Sequence, residues 1–401
     1  MVRNIVVLGG NSHPKLVESI CQILGIQQCD RNLSKFSVGE SRCEIQDSVR
    51  GKDVFIIQTA SGKVNDNFID LCIMISACKT GSARRITVVM PLFPYSRQPD
   101  LPYAKSGAPL AGSAPNAKAE YTFESVPSTP HPAINKSAGF TSVTDITDQL
   151  ARSALTTPTT ATHPDVNGYV ATTSSSEVQA NPGYKQWIAQ PGALIADLLT
   201  CAGADHILTM DLHDSQFQGF FDKPVDNLYG RPLIKRYITQ FVENYQDAVI
   251  VSPDAGGAKR ATAIADSLSM DFALIHKERK PIRINDKHNA TMMLVGKVKG
   301  KVCIMIDDLA DTANTITRAA RVLKREGAVA VLCLITHGIF SGDALQRLAQ
   351  SDVDKVVVTN TVPQDEHKAV LGAKLDVLDI APSFAEACRR IHFGESLNVL
   401  F

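Results

Sequence analysis

The chain has 401 residues, 44% of them hydrophobic, with 41 basic and 41 acidic side chains, enough apolar material for two or three domains with cores of their own. The balanced charge leaves no whole-molecule field to gather nucleic acid or an anionic membrane, so any electrostatic chemistry is local. No apolar run approaches the roughly 20 residues that span a bilayer, and nine cysteines without a Cys-x-x-Cys pair read as reduced, buried thiols of a cytoplasmic protein.

The start, Met1-Val-Arg-Asn-Ile-Val-Val-Leu-Gly, reads as a strand (Ile5–Leu8) meeting a Gly-Gly turn and is too short for a signal peptide. A helical pattern over His13–Leu24 follows, then a strand at Val54–Gln58, a helix at Asp66–Cys78 and a strand at Ile86–Phe93. There the pattern stops. Of the 80 residues from Leu101 to Ala180, 47 are Ser, Thr, Pro, Ala or Gly. Such a stretch cannot bury enough apolar surface to offset its ordering entropy. Residues 99–184 are therefore expected to form a disordered insertion, and because patterned chain flanks it on both sides, it interrupts a domain.

Periodicity resumes with a helix at Gly192–Cys201 and strands at His206–Met210, Ala248–Val251, Phe272–Ile275 and Val302–Ile306. A helix at Thr315–Arg325 and strands at Val329–Ile335, Val356–Thr359 and Val377–Ile380 complete the series. Near-continuous apolar strands alternating with amphipathic helices predict parallel sheets covered on both faces, hence an α/β fold. Ten strands are better divided between two similar halves, 1–231 and 232–401, than placed in one sheet.

The stretch Met305-Ile-Asp-Asp-Leu-Ala-Asp-Thr-Ala-Asn-Thr315 carries the clearest chemistry. It is expected at the carboxyl edge of a parallel sheet, where ligands of α/β proteins bind. Thr312 and Thr315, with backbone N–H groups at the start of the following helix, can cradle a phosphate. Asp307, Asp308 and Asp311 supply adjacent acceptors for a vicinal diol. Together these features point to a ribose 5-phosphate pocket.

This stretch resembles the ribose-phosphate loop of the ribose-phosphate diphosphokinases, or phosphoribosyl diphosphate (PRPP) synthetases. Four further motifs match in order: Asp211-Leu-His-Asp-Ser-Gln-Phe-Gln-Gly-Phe-Phe221, Val225-Asp-Asn-Leu-Tyr229, Ser252-Pro-Asp-Ala-Gly-Gly-Ala-Lys-Arg260 and His276-Lys-Glu-Arg279. The resemblance covers nearly the whole chain outside the insertion. It implies two phosphoribosyltransferase-like halves, each a mainly parallel sheet flanked by helices, in a homo-oligomer or a hetero-oligomer with related subunits. It also implies transfer of the diphosphoryl group of ATP to the anomeric hydroxyl of ribose 5-phosphate with Mg²⁺. The products are AMP and PRPP, the latter for nucleotide, histidine and tryptophan biosynthesis.

Particular residues take expected roles. Lys277 and Arg279 sit two apart at a strand end, so in extended chain they share a face and can grip the phosphate chain. The polar run Lys280–Ala290 after them fits a lid. His213, beyond the strand His206–Met210, can meet a cation or a phosphate oxygen, and Asp254 is a hard donor suited to Mg²⁺. By resemblance, Phe36 and Glu40 hold the adenine, and Arg97 and Gln98 the nucleotide's polar parts. Three departures stand out: Val38 where a polar residue is expected, Asn314 in place of a Gly, and Trp187 within Gln186–Ala189 where the family reads Ser-Arg-Ala-Pro. Asn tolerates positive φ, so the loop is expected to keep its turn at Asn314. Two alternatives stand beside the active synthetase. One is a catalytically weak regulatory or scaffolding subunit; the other, disfavoured by the ATP-half motifs, is a PRPP-consuming phosphoribosyltransferase.

Overall fold

The computed structural model describes residues 4–96, 191–278 and 291–400; the insertion expected at 99–184 lies outside them. The N-terminal half runs β1 (Ile5–Gly9), α1 (Pro14–Leu24), β2 (Arg31–Lys35), β3 (Ser41–Ile45), β4 (Asp53–Ile57), α2 (Val64–Thr80), β5 (Arg85–Met90), α3 (Pro191–Ala202), β6 (His206–Met210) and β7 (Val225–Leu228). Five of these strands form a parallel sheet in the order β1-β4-β5-β6-β7, and β2 and β3 pair separately as an antiparallel hairpin.

The C-terminal half begins with α4 (Arg231–Phe241), β8 (Val249–Ser252), α5 (Ala258–Leu268), β9 (Asp271–Glu278), β10 (Thr291–Val295) and β11 (Val302–Ala310). It continues with α6 (Asn314–Arg325), β12 (Ala330–Gly338), α7 (Ala344–Ala349), β13 (Lys355–Thr359), α8 (Asp365–Leu371), β14 (Leu375–Leu378) and α9 (Ala381–Phe393). Its seven-stranded sheet has the order β10-β9-β8-β11-β12-β13-β14 and is parallel except where β10 meets β9. The α/β class with two mainly parallel, helix-flanked sheets is thus the architecture found.

The continuous apolar strands have a direct cause. Along β11, Cys303 and Met305 join a core with Ile316, Ala319 and Leu323 of α6. Ile304 and Ile306, pointing the other way, join Ile238 of α4 and Ile264 of α5. With both faces covered, neither side of the strand can be polar without a partner. The N-terminal sheet is enclosed likewise, by α2 and α3 on one face and by α1 on the other.

The second helix on that last face comes from the far end of the chain. Phe384, Ala385, Cys388 and Ile391 of α9 pack with Ile5, Val7, Leu16, Ile20 and Phe55. The 232–401 segment therefore supplies part of the N-terminal half's core. Asp53 fixes this junction: its carboxylate accepts from Arg84 Nε (2.9 Å) and Nη2 (2.7 Å), Arg85 Nη2 (3.1 Å) and His392 Nδ1 (2.8 Å). Burial alone would raise its pKa, but these partners hold it below the usual carboxylate range.

Two local expectations are corrected. β11 does not end at Ile306; it continues to Ala310, pairing Leu309 with His337 and Ala310 with Gly338, so Asp307 and Asp308 are strand residues. The positive φ of the following turn falls on Ala313 (φ 57°) and not on Asn314, which already belongs to α6.

Phe384 is wholly buried between α9, α1 and the sheet. Phe384→Ala should therefore destabilise the protein by about 3–5 kcal/mol, measured as a lowered denaturant midpoint.

Candidate active site

The carboxyl ends of the two sheets are joined by a buried polar seam. Asp211, just after β6, accepts from Gly230 N–H (3.0 Å) and from the Thr336 hydroxyl of β12 (2.5 Å). His337 Nε2 donates to the carbonyls of Met210 (3.1 Å) and Asp211 (3.3 Å). Burial lowers the His337 pKa, keeping the ring neutral with one nitrogen as donor. Gly230 is required here: a Cβ would lie 2.8 Å from Asp211 Oδ2 and 2.9 Å from Thr336 Oγ1.

Two residues beyond Asp211, the seam presents His213 to β11. His213 Nδ1 donates to Asp308 Oδ2 at 2.7 Å, and Arg260 Nη1, from the first turn of α5, donates to Asp308 Oδ1 at 3.0 Å. Asp308 is 3% exposed. Burial alone would raise its pKa, but the His213 and Arg260 contacts hold it well below the usual range. The same hydrogen bond raises His213 above its ordinary 6.5. In the sequence Arg260 stands only as the last residue of a motif; its signal is a basic residue shortly after the Gly256-Gly257 turn.

Asp307 accepts the Asp308 N–H at 2.9 Å. Burial, then the charges of Asp308 and Asp254, push Asp307 well above the usual carboxylate range. Asp254, beyond β8, uses Oδ1 to accept the Gly257 N–H at 2.9 Å. Among the described residues no group of three or more His, Cys, Asp or Glu is arranged to hold a metal ion.

Downstream on the same edge, Asp311 and Leu309 line a cleft of about 1230 Å³ that Asn11, Ser12, Tyr95 and Ser96 close from the N-terminal half. Thr312 and Thr315 are exposed. The Thr312 hydroxyl accepts from Asn314 Nδ2 at 3.2 Å, and its carbonyl accepts from Arg347. No side chain caps the N-terminus of α6, so its first N–H groups face outward for an anion.

The expected adenine residues stand elsewhere. Phe36 and Glu40 are exposed at the tip of the β2–β3 hairpin, with Val38 between them 78% exposed, and no hydrogen bond or ion pair links them to the His213–Asp308 cluster. Extended geometry does persist through Lys277, which β9 carries opposite Met292 of β10. Arg97, Gln98, Trp187, Arg279 and the expected lid over 280–290 lie outside the described residues.

Known proteins resemble the chain along nearly its whole length. One family model, the N-terminal domain of ribose phosphate pyrophosphokinase, matches residues 5–110, and another, the phosphoribosyl synthetase-associated domain, matches residues 280–401. The chain is 48% identical over 400 residues to ribose-phosphate pyrophosphokinase 5 of Schizosaccharomyces pombe, covering 100% of this chain and 98% of the relative. Among solved structures, the phosphoribosylpyrophosphate synthetase of Mycobacterium smegmatis aligns with a TM-score of 0.71 at 30% identity, over 98% of this chain and 100% of that one.

The His213–Asp308 contact has a measurable signature. In protein free of metal and substrate, His213 should titrate above 6.5 by NMR, because its proton is shared with a buried carboxylate. The charged pair is then complete below that raised value and is lost as pH rises through it. Asp308→Asn should bring the His213 pKa down, and an unchanged value would rule the contact out.

Proposed function

The chain belongs to the ribose-phosphate pyrophosphokinase family, and from that premise we propose how its residues divide the work of making PRPP and AMP from ATP and ribose 5-phosphate. The protein is an enzyme of that family. The anomeric oxygen of the sugar attacks the β-phosphorus of ATP, the bond from that phosphorus to the α-phosphate oxygen breaks, and AMP leaves as the hydroxyl proton is released.

Such a transfer depends on positioning and on neutralising charge at the phosphoryl oxygens. Thr312, Thr315 and the uncapped start of α6 hold the 5-phosphate. Asp307, Asp308 and Asp311 take the sugar hydroxyls. Each carboxylate oxygen has two lone pairs, so Asp308 can accept from the sugar while keeping His213 and Arg260. His213, with Nδ1 committed to Asp308, has Nε2 as its other ring nitrogen, a metal ligand when unprotonated and a donor to a phosphate oxygen when protonated. Asp254 and His213 would hold Mg²⁺, which when bound offsets the charge of the triphosphate. Lys277 and Arg279 grip the transferring group, Phe36 and Glu40 receive the adenine, and Arg97 and Gln98 reach the nucleotide's polar parts.

The single observation that carries this reading is the His213–Asp308–Arg260 contact. It draws the ATP-half and sugar-half motifs, 95 residues apart in sequence for His213 and Asp308, into one cluster. The synthetase is further proposed to work as an oligomer in the cytoplasm. All nine cysteines are free, and no described helix is long and apolar enough to cross a membrane.

Purified chain, alone, should release AMP from ATP only when ribose 5-phosphate is present; no release would overturn the assignment of activity to this chain. Thr315→Ala should raise the KM for ribose 5-phosphate about tenfold with the fold intact. Lys277→Ala should lower kcat by about two to three orders of magnitude with a smaller change in ATP affinity, as for groups that act in the transition state. A change confined to KM would exclude that role for Lys277.

A further inference from the structure

The hairpin that carries Phe36 and Glu40 is held next to its tip by one buried carboxylate. Its tip is closed by backbone, Phe36 N–H donating to Glu40 O and Gly39 N–H to Phe36 O, both at 2.8 Å, and the Arg42 guanidinium lies over the Phe36 ring, 5.8 Å from its centroid. The residues flanking the tip, Lys35 and Ser41, are the last pair of the β2–β3 register. Both end on the same atom of α2, Asp70 Oδ1. Ser41 Oγ donates to it, and Lys35 Nζ lies 3.5 Å away while also pairing with Asp66 at 3.2 Å. Asp70 is 4% exposed. A carboxylate this buried is tolerable only with partners, and those partners are the two residues on either side of the tip.

The rest of the hairpin is anchored further down. Arg31 Nε donates to Gly9 O at 2.6 Å, Asn11 Nδ2 to Leu33 O at 3.2 Å, and Leu33 is buried in the core beneath. These contacts fix where the hairpin leaves the sheet. The last pair also joins across the ribbon, Lys35 Nζ donating to Ser41 Oγ at 3.4 Å, but a two-stranded ribbon is only marginally stable by itself. Asp70 ties that pair to α2.

We propose that Asp70 is a positioning residue for nucleotide recognition: by fixing Lys35 and Ser41 from α2, it sets the direction in which the tip presents Phe36 and Glu40 to the adenine. The inference rests on the adenine role given above to those two residues. Asp70 touches no substrate. Its contribution is preorganisation, which lowers the entropy lost when ATP orders the tip.

Steady-state kinetics of the full-length protein can test this, with both substrates varied. Asp70→Asn, which keeps the side-chain shape and removes the charge, should raise the KM for ATP about five- to tenfold, with kcat and the KM for ribose 5-phosphate within about twofold. Ser41→Ala, which leaves the buried carboxylate unaltered, should shift the same constant in the same direction. The double variant should change it by less than the product of the single effects, because both act through one contact. Phe36→Ala separates the two layers of the argument. If Phe36→Ala leaves the KM for ATP unchanged, the adenine assignment of the tip is wrong. If Phe36→Ala raises it while Asp70→Asn and Ser41→Ala do not, the tip binds adenine without help from Asp70 and the inference is overturned. Equal losses in both KM values and kcat for Asp70→Asn would likewise overturn it, since that pattern marks general destabilisation.

Discussion

The arrangement depends on the buried contact of Asp211 and His337 across the two sheets. Each sheet ends in strands whose carboxyl edges could bind ligand separately. A split reaction would gain nothing from that, because phosphoryl transfer requires donor and acceptor to meet in line within a few tenths of an ångström. Asp211 accepts from Gly230 and Thr336, and His337 returns hydrogen bonds to the carbonyls of Met210 and Asp211. The three side chains that take part, Asp211, Thr336 and His337, are buried, so water competes little for these hydrogen bonds. His213 inherits its place from that geometry, and its 2.7 Å contact with Asp308 follows.

The seam also accounts for the unequal electrostatics of the two adjacent acids. Asp308 has a guanidinium and an imidazole as partners and stays ionised; Asp307, one residue earlier, faces burial and two like charges and does not ionise readily. Strand geometry sends consecutive side chains to opposite faces. The extension of β11 beyond Ile306 therefore gives the neighbours different surroundings. Had the strand ended where the apolar run ends, both acids would share a solvated loop and behave alike.

Much of this was legible in sequence where burial acts on both faces of a strand, because an apolar run then has one reading. Ten strands and four helices lie where they were expected for that reason, although β9, β11 and β12 run three or four residues past their expected ends. The hairpin β2–β3 was not, since Arg31–Lys35 and Ser41–Ile45 have few buried side chains and charged residues obscure the alternation. Short β7, with Asp226 and Asn227 in its middle, was hidden in the same way. Within the site, residue types and edge position pointed to a sugar phosphate. The partner of Asp308 could not be read, because His213 reaches it only through the seam and Arg260 only through α5. The turn at Ala313 was assigned one residue late. Side-chain preference pointed to Asn314, but the start of α6 requires the left-handed residue before it.

The position of α9 on the first sheet bears on how the chain is made. Translation delivers β1, α1 and β4 first, but the surface they bury against Phe384, Ala385 and Ile391 does not exist until α9 leaves the ribosome. Through all of that time the first-made half exposes an apolar face, a state that favours chaperone capture or aggregation. The contacts that close it join residues more than 300 apart in sequence, so they carry a large loop-closure cost and form late. The half synthesised first is thus the half completed last, and a ribosome stalled short of α9 releases a chain with a finished second sheet and an unfinished first one.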